Sequence, residues 1–117
     1  PDIGMFMPGY NDVMQERVDN PALEEMMDVA AALPCAVWLL LPADGGLVAG
    51  DAERWNQRVR DLAEPHGSVH VSDGWKRLVE TTPEFTLVSE VDGVHPNAEG
   101  RKAVAAVMTA EAEKHCR

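Results

Sequence analysis

Ile3 to Met7 is an unbroken apolar run closed by Pro8-Gly9. Runs without polar alternation are the mark of strands buried on both faces of a parallel sheet, so the run predicts a strand of that kind. The polar segment Tyr10 to Asp19 reads as a loop. Asn20-Pro21 then makes an N-cap and first-turn pair. Leu23, Met26, Met27 and Ala30 recur at helical spacing and predict a helix that stops before Pro34. Ala36 to Leu41 is a second continuous apolar run, a buried strand closed by Pro42. Asp44-Gly45-Gly46 reads as a flexible loop. Asp51 opens a helix whose apolar stripe is Ala52, Trp55, Val59 and Leu62, and Pro65 and Gly67 end it. Val69 to Val71 reads as a short strand. Trp75, Leu78 and Val79 suggest a brief helical turn, followed by an irregular stretch to Val91. Asn97 caps a final Ala-rich helix carrying Val104, Val107 and Met108.

Strands alternating with helices imply right-handed crossovers and a parallel sheet covered on both faces. The expected fold is α/β. In such folds the loops at the carboxyl ends of the strands gather at one edge and build the site. The length of 117 residues suits one domain, and no internal repeat or low-complexity linker interrupts it.

Charge narrows the partners. Twenty acidic residues against ten basic ones give a net charge of −10, and the basic residues are scattered. That argues against nucleic acid, whose phosphates need clustered Lys and Arg, and against anionic membrane surfaces. The longest apolar stretch, Val29 to Ala43, is broken by Pro34 and Pro42 and is too short to span a bilayer.

Two segments could carry chemistry. In Asp92-Gly93-Val94-His95-Pro96-Asn97, a Gly-containing turn can bring the Asp92 carboxylate to Nδ1 of His95, leaving Nε2 free as a general base. The plainer alternative is an Asp-Gly turn before a helix cap. In Pro8-Gly9-Tyr10-Asn11-Asp12, Gly9 lets the chain turn at the strand end, and the Asn11 amide can donate to a developing oxyanion. Taken alone, that segment is an ordinary turn, and Asp12 is a turn-stabilising residue.

Together these segments resemble the SGNH hydrolases, the GDSL-type esterases and lipases. Pro1-Asp2-Ile3 through Gly9-Tyr10-Asn11-Asp12 looks like that family's strand ending in G-x-N-D, and Asp92 to Asn97, with Gly100 following, looks like its D-x-x-H-P-N block. The resemblance covers essentially the whole chain. It implies a three-layer α/β/α, flavodoxin-like parallel sheet and ester hydrolysis through a Ser-His-Asp triad. His95 would be the general base, Asp92 the carboxylate that orients it, and Asn11 an oxyanion-hole donor. Gly9, Tyr10 and Trp75 are possible pocket residues. The substrate would be a small-molecule ester, with no metal or cofactor.

The family's nucleophile block, a Gly-Asp-Ser segment, has no counterpart in the chain, and neither has its backbone-donor glycine. Pro8 and Tyr10 also depart from the small or aliphatic residues usual there. Ser68, Ser72 and Ser89 are the only serines, and none stands at a strand-to-helix elbow. Cys35 is placed at the amino end of a strand, away from the site. The resemblance therefore makes residues 1–117 the carboxyl-terminal portion of a single domain whose amino-terminal strands, about 60 residues in two βα units, and serine lie outside it. By itself this chain is expected to be inactive and, with strand edges and helix faces unpartnered, marginally folded or prone to aggregate. A non-catalytic α/β binding module, or a heteromeric enzyme with its serine on another chain, remain the alternatives.

His66 and His70 have helical spacing, but Gly67 and the Val69 strand break any helix that would align them on a metal. Cys35 and Cys116 both fall at the edge opposite the site. They are either one disulfide, which would imply export, or two free thiols.

Overall fold

The computed structural model describes residues 3–43, 49–91 and 95–116. Along them run β1 (Ile3–Phe6), α1 (Tyr10–Met14), α2 (Ala22–Ala31), β2 (Cys35–Leu39), α3 (Ala49–Ala63), β3 (Val69–Ser72), α4 (Gly74–Glu80) and α5 (Ala98–His115). The strands form one parallel sheet in the order β1-β2-β3, with Met5 opposite Val37 and Trp38 opposite Val71. The fold is α/β, compatible with a flavodoxin-like arrangement.

β2 is central, and all five of its residues are buried. Its side chains and that of Leu40 just beyond it alternate between two apolar clusters, as the two-residue period of extended backbone requires. Ala36, Trp38 and Leu40 join Leu23, Met27, Trp55 and Val59 from α2 and α3. Val37 and Leu39 join Trp75, Val79 and Ala112 from α4 and α5. Each large apolar side chain withdrawn from water here contributes about 1.5–3 kcal/mol.

Three expectations need correction. β1 is an edge strand among the described residues and is only partly covered, with Met5 48% exposed, so it is not buried on both faces. The segment after it is not all loop: Tyr10 and Val13 are apolar positions three apart that turn inward, and they nucleate α1 against α3. The second strand ends at Leu39 rather than Leu41, because Asn56 takes over there. Its Nδ2 donates to the Leu41 carbonyl at 2.8 Å and its Oδ1 accepts from the Leu41 N–H at 2.9 Å. The expected Asp44-Gly45-Gly46 loop lies outside the described residues.

The Asn97 cap follows the expectation, its Oδ1 accepting from the Gly100 N–H at 2.8 Å. At α2 the N-cap is Pro21 rather than Asn20, one residue later than expected, although Asn20 Oδ1 still accepts from the Ala22 N–H at 3.0 Å. Cys35 and Cys116 form a disulfide, Cα to Cα 5.7 Å, which ties the start of β2 to the end of α5. No helix among the described residues is long and apolar enough to cross a membrane.

Candidate functional site

At the carboxyl end of β1 the chain turns through Gly9, whose φ of 117° lies in the left-handed region. Its Cα faces the Trp55 indole so closely that a Cβ would overlap the ring. Glycine is therefore required twice over. Its carbonyl accepts from the Val13 N–H at 2.9 Å and so starts α1. Asn11 stands exposed in the first turn of α1. Asp12 accepts from Asn20 Nδ2 at 2.8 Å, a structural tie between α1 and the cap of α2.

His95 reaches the same edge from the other end of the chain. A short antiparallel ladder holds its backbone. The Ser89 N–H donates to the His95 carbonyl at 2.8 Å, Val88 pairs with Pro96, and the Asn97 N–H donates to the Leu87 carbonyl at 3.0 Å. Asn97 Nδ2 adds bonds to the carbonyls of Thr86 and Val88 at 3.1 and 3.2 Å. Gly100 passes so close to the Leu87 carbonyl that any Cβ would collide with it, which accounts for glycine at that point of α5.

The two segments meet at Tyr10. Its ring stacks on the His95 imidazole, centroids 5.6 Å apart and planes 26° apart. Its hydroxyl accepts from Trp75 Nε1–H at 2.8 Å. Burial pushes the Tyr10 pKa up to about 12, against the smaller opposing pull of the Trp75 bond. The phenol is thus a neutral, anchored platform under the imidazole. Trp75, a possible pocket residue on sequence, has no exposed surface. It is a core group beneath the site rather than a wall open to a ligand. Asp92 lies outside the described residues.

The side-chain roles the sequence left open sort as follows. Cys35 is oxidised and carries no thiol. Ser72 is buried and its hydroxyl accepts from the Gly74 N–H at 3.1 Å. The Ser68 hydroxyl donates to the Ala31 carbonyl at 3.4 Å, and the Ser89 hydroxyl accepts from the Val91 N–H at 3.1 Å. His70 lies within β3 and His66 in the turn before it, and no group of three metal-ligating side chains occurs among the described residues.

Three features were missed from sequence. A cleft of about 230 Å³, lined by Val79, Pro83, Phe85, Leu87 and Val88 together with the polar Thr82 and Glu84, shares Leu87 and Val88 with the ladder that holds the histidine segment. Its wall comes from the irregular stretch, which has no period to read. Lys76 bridges Glu53 of α3 at 3.0 Å and Glu80 at 2.8 Å, and Glu80 also accepts from the Ala43 N–H. Burial lowers the Lys76 pKa, but the two carboxylates outweigh it and leave it raised. Finally, His70 stacks on His115 with centroids 4.5 Å apart, a pairing invisible across the intervening chain. No family model, curated protein or solved structure matches this chain.

Proposed function

We propose that residues 1–117 are the oxyanion and histidine portion of an SGNH-type serine ester hydrolase, on a three-layer flavodoxin-like sheet that continues beyond β1. The observation that carries this reading is the Tyr10–His95 stack at 5.6 Å, which joins the G-x-N-D turn to the histidine segment at the carboxyl edge of a parallel sheet. The half-covered β1 edge supports further strands on that side. In this mechanism His95 takes the proton of a serine outside the chain and returns it to the leaving alcohol. Asp92 orients the imidazole. The Asn11 amide donates to the tetrahedral oxyanion, an interaction worth about 3–4 kcal/mol. The 230 Å³ cleft beside the ladder suits a short acyl group. The Cys35–Cys116 disulfide fits an exported protein.

The test is to read the gene upstream of the Pro1 codon and assay the product it encodes. A Gly-Asp-Ser-bearing strand, with hydrolysis of p-nitrophenyl acetate lost in His95→Ala, supports the reading. An initiator codon at or just before Pro1, or no hydrolysis by the encoded product, overturns it in favour of a non-catalytic binding module, and turnover indifferent to His95→Ala overturns the role given to His95.

A further inference from the structure

β3 has a partner on one side only: among the described residues it pairs with β2 alone. The Ala36 N–H donates to the Ser68 carbonyl and the Leu40 N–H to the Ser72 carbonyl. By the alternation of a parallel ladder, the N–H and C=O of Val71 point the other way, out of the sheet. A groove of about 580 Å³ runs along this edge, and Val71 and Leu40 lie on its apolar lining.

The charges around that groove are unusual for this molecule. In a chain of net charge −10, Arg60 of α3, Arg77 of α4 and Lys114 and His115 of α5 converge on it. Its two carboxylates are already engaged, Asp73 with Arg77 at 3.4 Å and Glu111 with His115 at 3.3 Å. Arg60 and Lys114 make no ion pair among the described residues, whereas Arg54, Arg58, Lys76 and Lys102 each have one. Arg60 and Lys114 also belong to different sides of the sheet. α3 packs with the Trp38 cluster and α5 with the Val37 cluster, so the two cations flank the β3 edge from opposite faces.

We propose that this edge is a docking site for an extended acidic peptide, which adds to β3 as a further strand. Unpaired edge groups are a ready template for such addition. Successive side chains of a strand point to opposite faces. Consecutive acidic residues on the incoming strand therefore reach Arg60 on one side and Lys114 on the other, while its backbone bonds Val71. This role is independent of any hydrolase activity, since it uses the far edge of the sheet from β1 and none of the residues around His95.

Fluorescence anisotropy on the full-length protein tests it, with a labelled Asp-Glu-Val-Asp-Glu-Val peptide as probe. Saturable binding is expected, weakened about tenfold or more in the Arg60→Glu/Lys114→Glu variant. A backbone N-methylated version of the probe should lose binding, and the Val71 amide resonance should shift on addition of the unmodified one. Both substituted side chains are exposed, so the melting temperature of the variant should match that of the parent. Absence of saturable binding at low salt overturns the proposal and leaves the cations as guards of the edge. Equal binding by the N-methylated probe overturns strand addition, and equal binding by the charge-reversed variant overturns the location.

Discussion

Tyr10 and His95, from opposite ends of the chain, lie ring on ring with centroids 5.6 Å apart. The phenol beneath is fixed in turn by Trp75, whose indole N–H it accepts at 2.8 Å. The imidazole orientation is thus coupled to the buried core through one aromatic pair. Tyr10→Phe should keep the stack but leave the Trp75 N–H buried without an acceptor, costing about 1–3 kcal/mol. Tyr10→Leu should remove the stack, and the ring-proton resonances of His95 should lose their upfield ring-current displacement. Proton NMR of the three proteins decides the point: His95 resonances that stay put in Tyr10→Leu would show that the stack is not populated in solution.

Tyr10 is the single tyrosine, so its ionisation can be followed directly by ultraviolet absorbance. Burial raises its pKa from 10.0 to about 12, the Trp75 bond opposing only in part. A folded-state pKa above the unfolded one means the stabilisation is complete below about pH 10 and is lost as pH rises toward 12, a contribution of about 3 kcal/mol. The tyrosinate band should therefore be absent at about pH 10.5 in native protein and present in protein unfolded in guanidinium. A native titration midpoint near 10 would contradict this.

Asn56 is fully buried and spends both ends of its amide on Leu41. Asn56→Ala should leave the Leu41 N–H and C=O without partners in a dry site, lowering stability by about 2–4 kcal/mol. Asn56→Asp restores the acceptor but not the donor and buries a charge, so it should rescue nothing. Urea midpoints read both effects. A change below about 0.5 kcal/mol in Asn56→Ala would mean that water replaces the amide.

The disulfide closes a loop between cysteines 81 residues apart in sequence. Removing so long a cross-link frees the unfolded chain by about 4–5 kcal/mol in the chain-entropy model. Reduction, or Cys35→Ser with Cys116→Ser, should lower the denaturation midpoint accordingly. Intact protein should gain no label from a maleimide under denaturing, non-reducing conditions. Stoichiometric labelling there would show free thiols.

His70 is lowered below its ordinary 6.5, first by burial and then by the charge of His115, with Glu111 pulling the other way and losing. The unfolded chain then takes up the proton first as pH falls. The contribution of His70 is complete above about pH 6.5 and declines as pH drops through the lowered value. His70→Phe keeps a ring against His115 and removes the titration, so it should narrow the fall in melting temperature between about pH 7.5 and about pH 5.5. An identical fall in both proteins would assign the pH dependence elsewhere.

Much of this architecture is legible in the residue pattern. The two apolar runs, the Asn97 cap and the Ala52-Trp55-Val59 stripe each depend on neighbours within a few residues, and each gives an element of the expected kind, with the second strand stopping at Leu39. The errors have physical causes. Ile3 to Phe6 reads as doubly buried because an apolar run carries no record of which sheet faces are covered. α1 was hidden because Tyr10 and Val13 are too few apolar positions to mark a period. Asn56 sits on the buried stripe of α3, between Ala52 and Val59, and a polar residue in that position was the available signal.

Local chemistry decided the elements: apolar continuity made strands, apolar spacing made helices, and Asn, Pro and Gly set their limits. Proximity belonged to the folded chain alone. That Tyr10 lies under His95, that Arg60 and Lys114 flank one strand edge, and that His70 meets His115 all follow from parallel crossovers returning distant segments to a shared edge. Chain order carries no information on those distances. The cysteines show the division most plainly, since their positions allowed a bond or two thiols and only the 5.7 Å approach of their Cα atoms, produced by α5 running back along the sheet, made the bond.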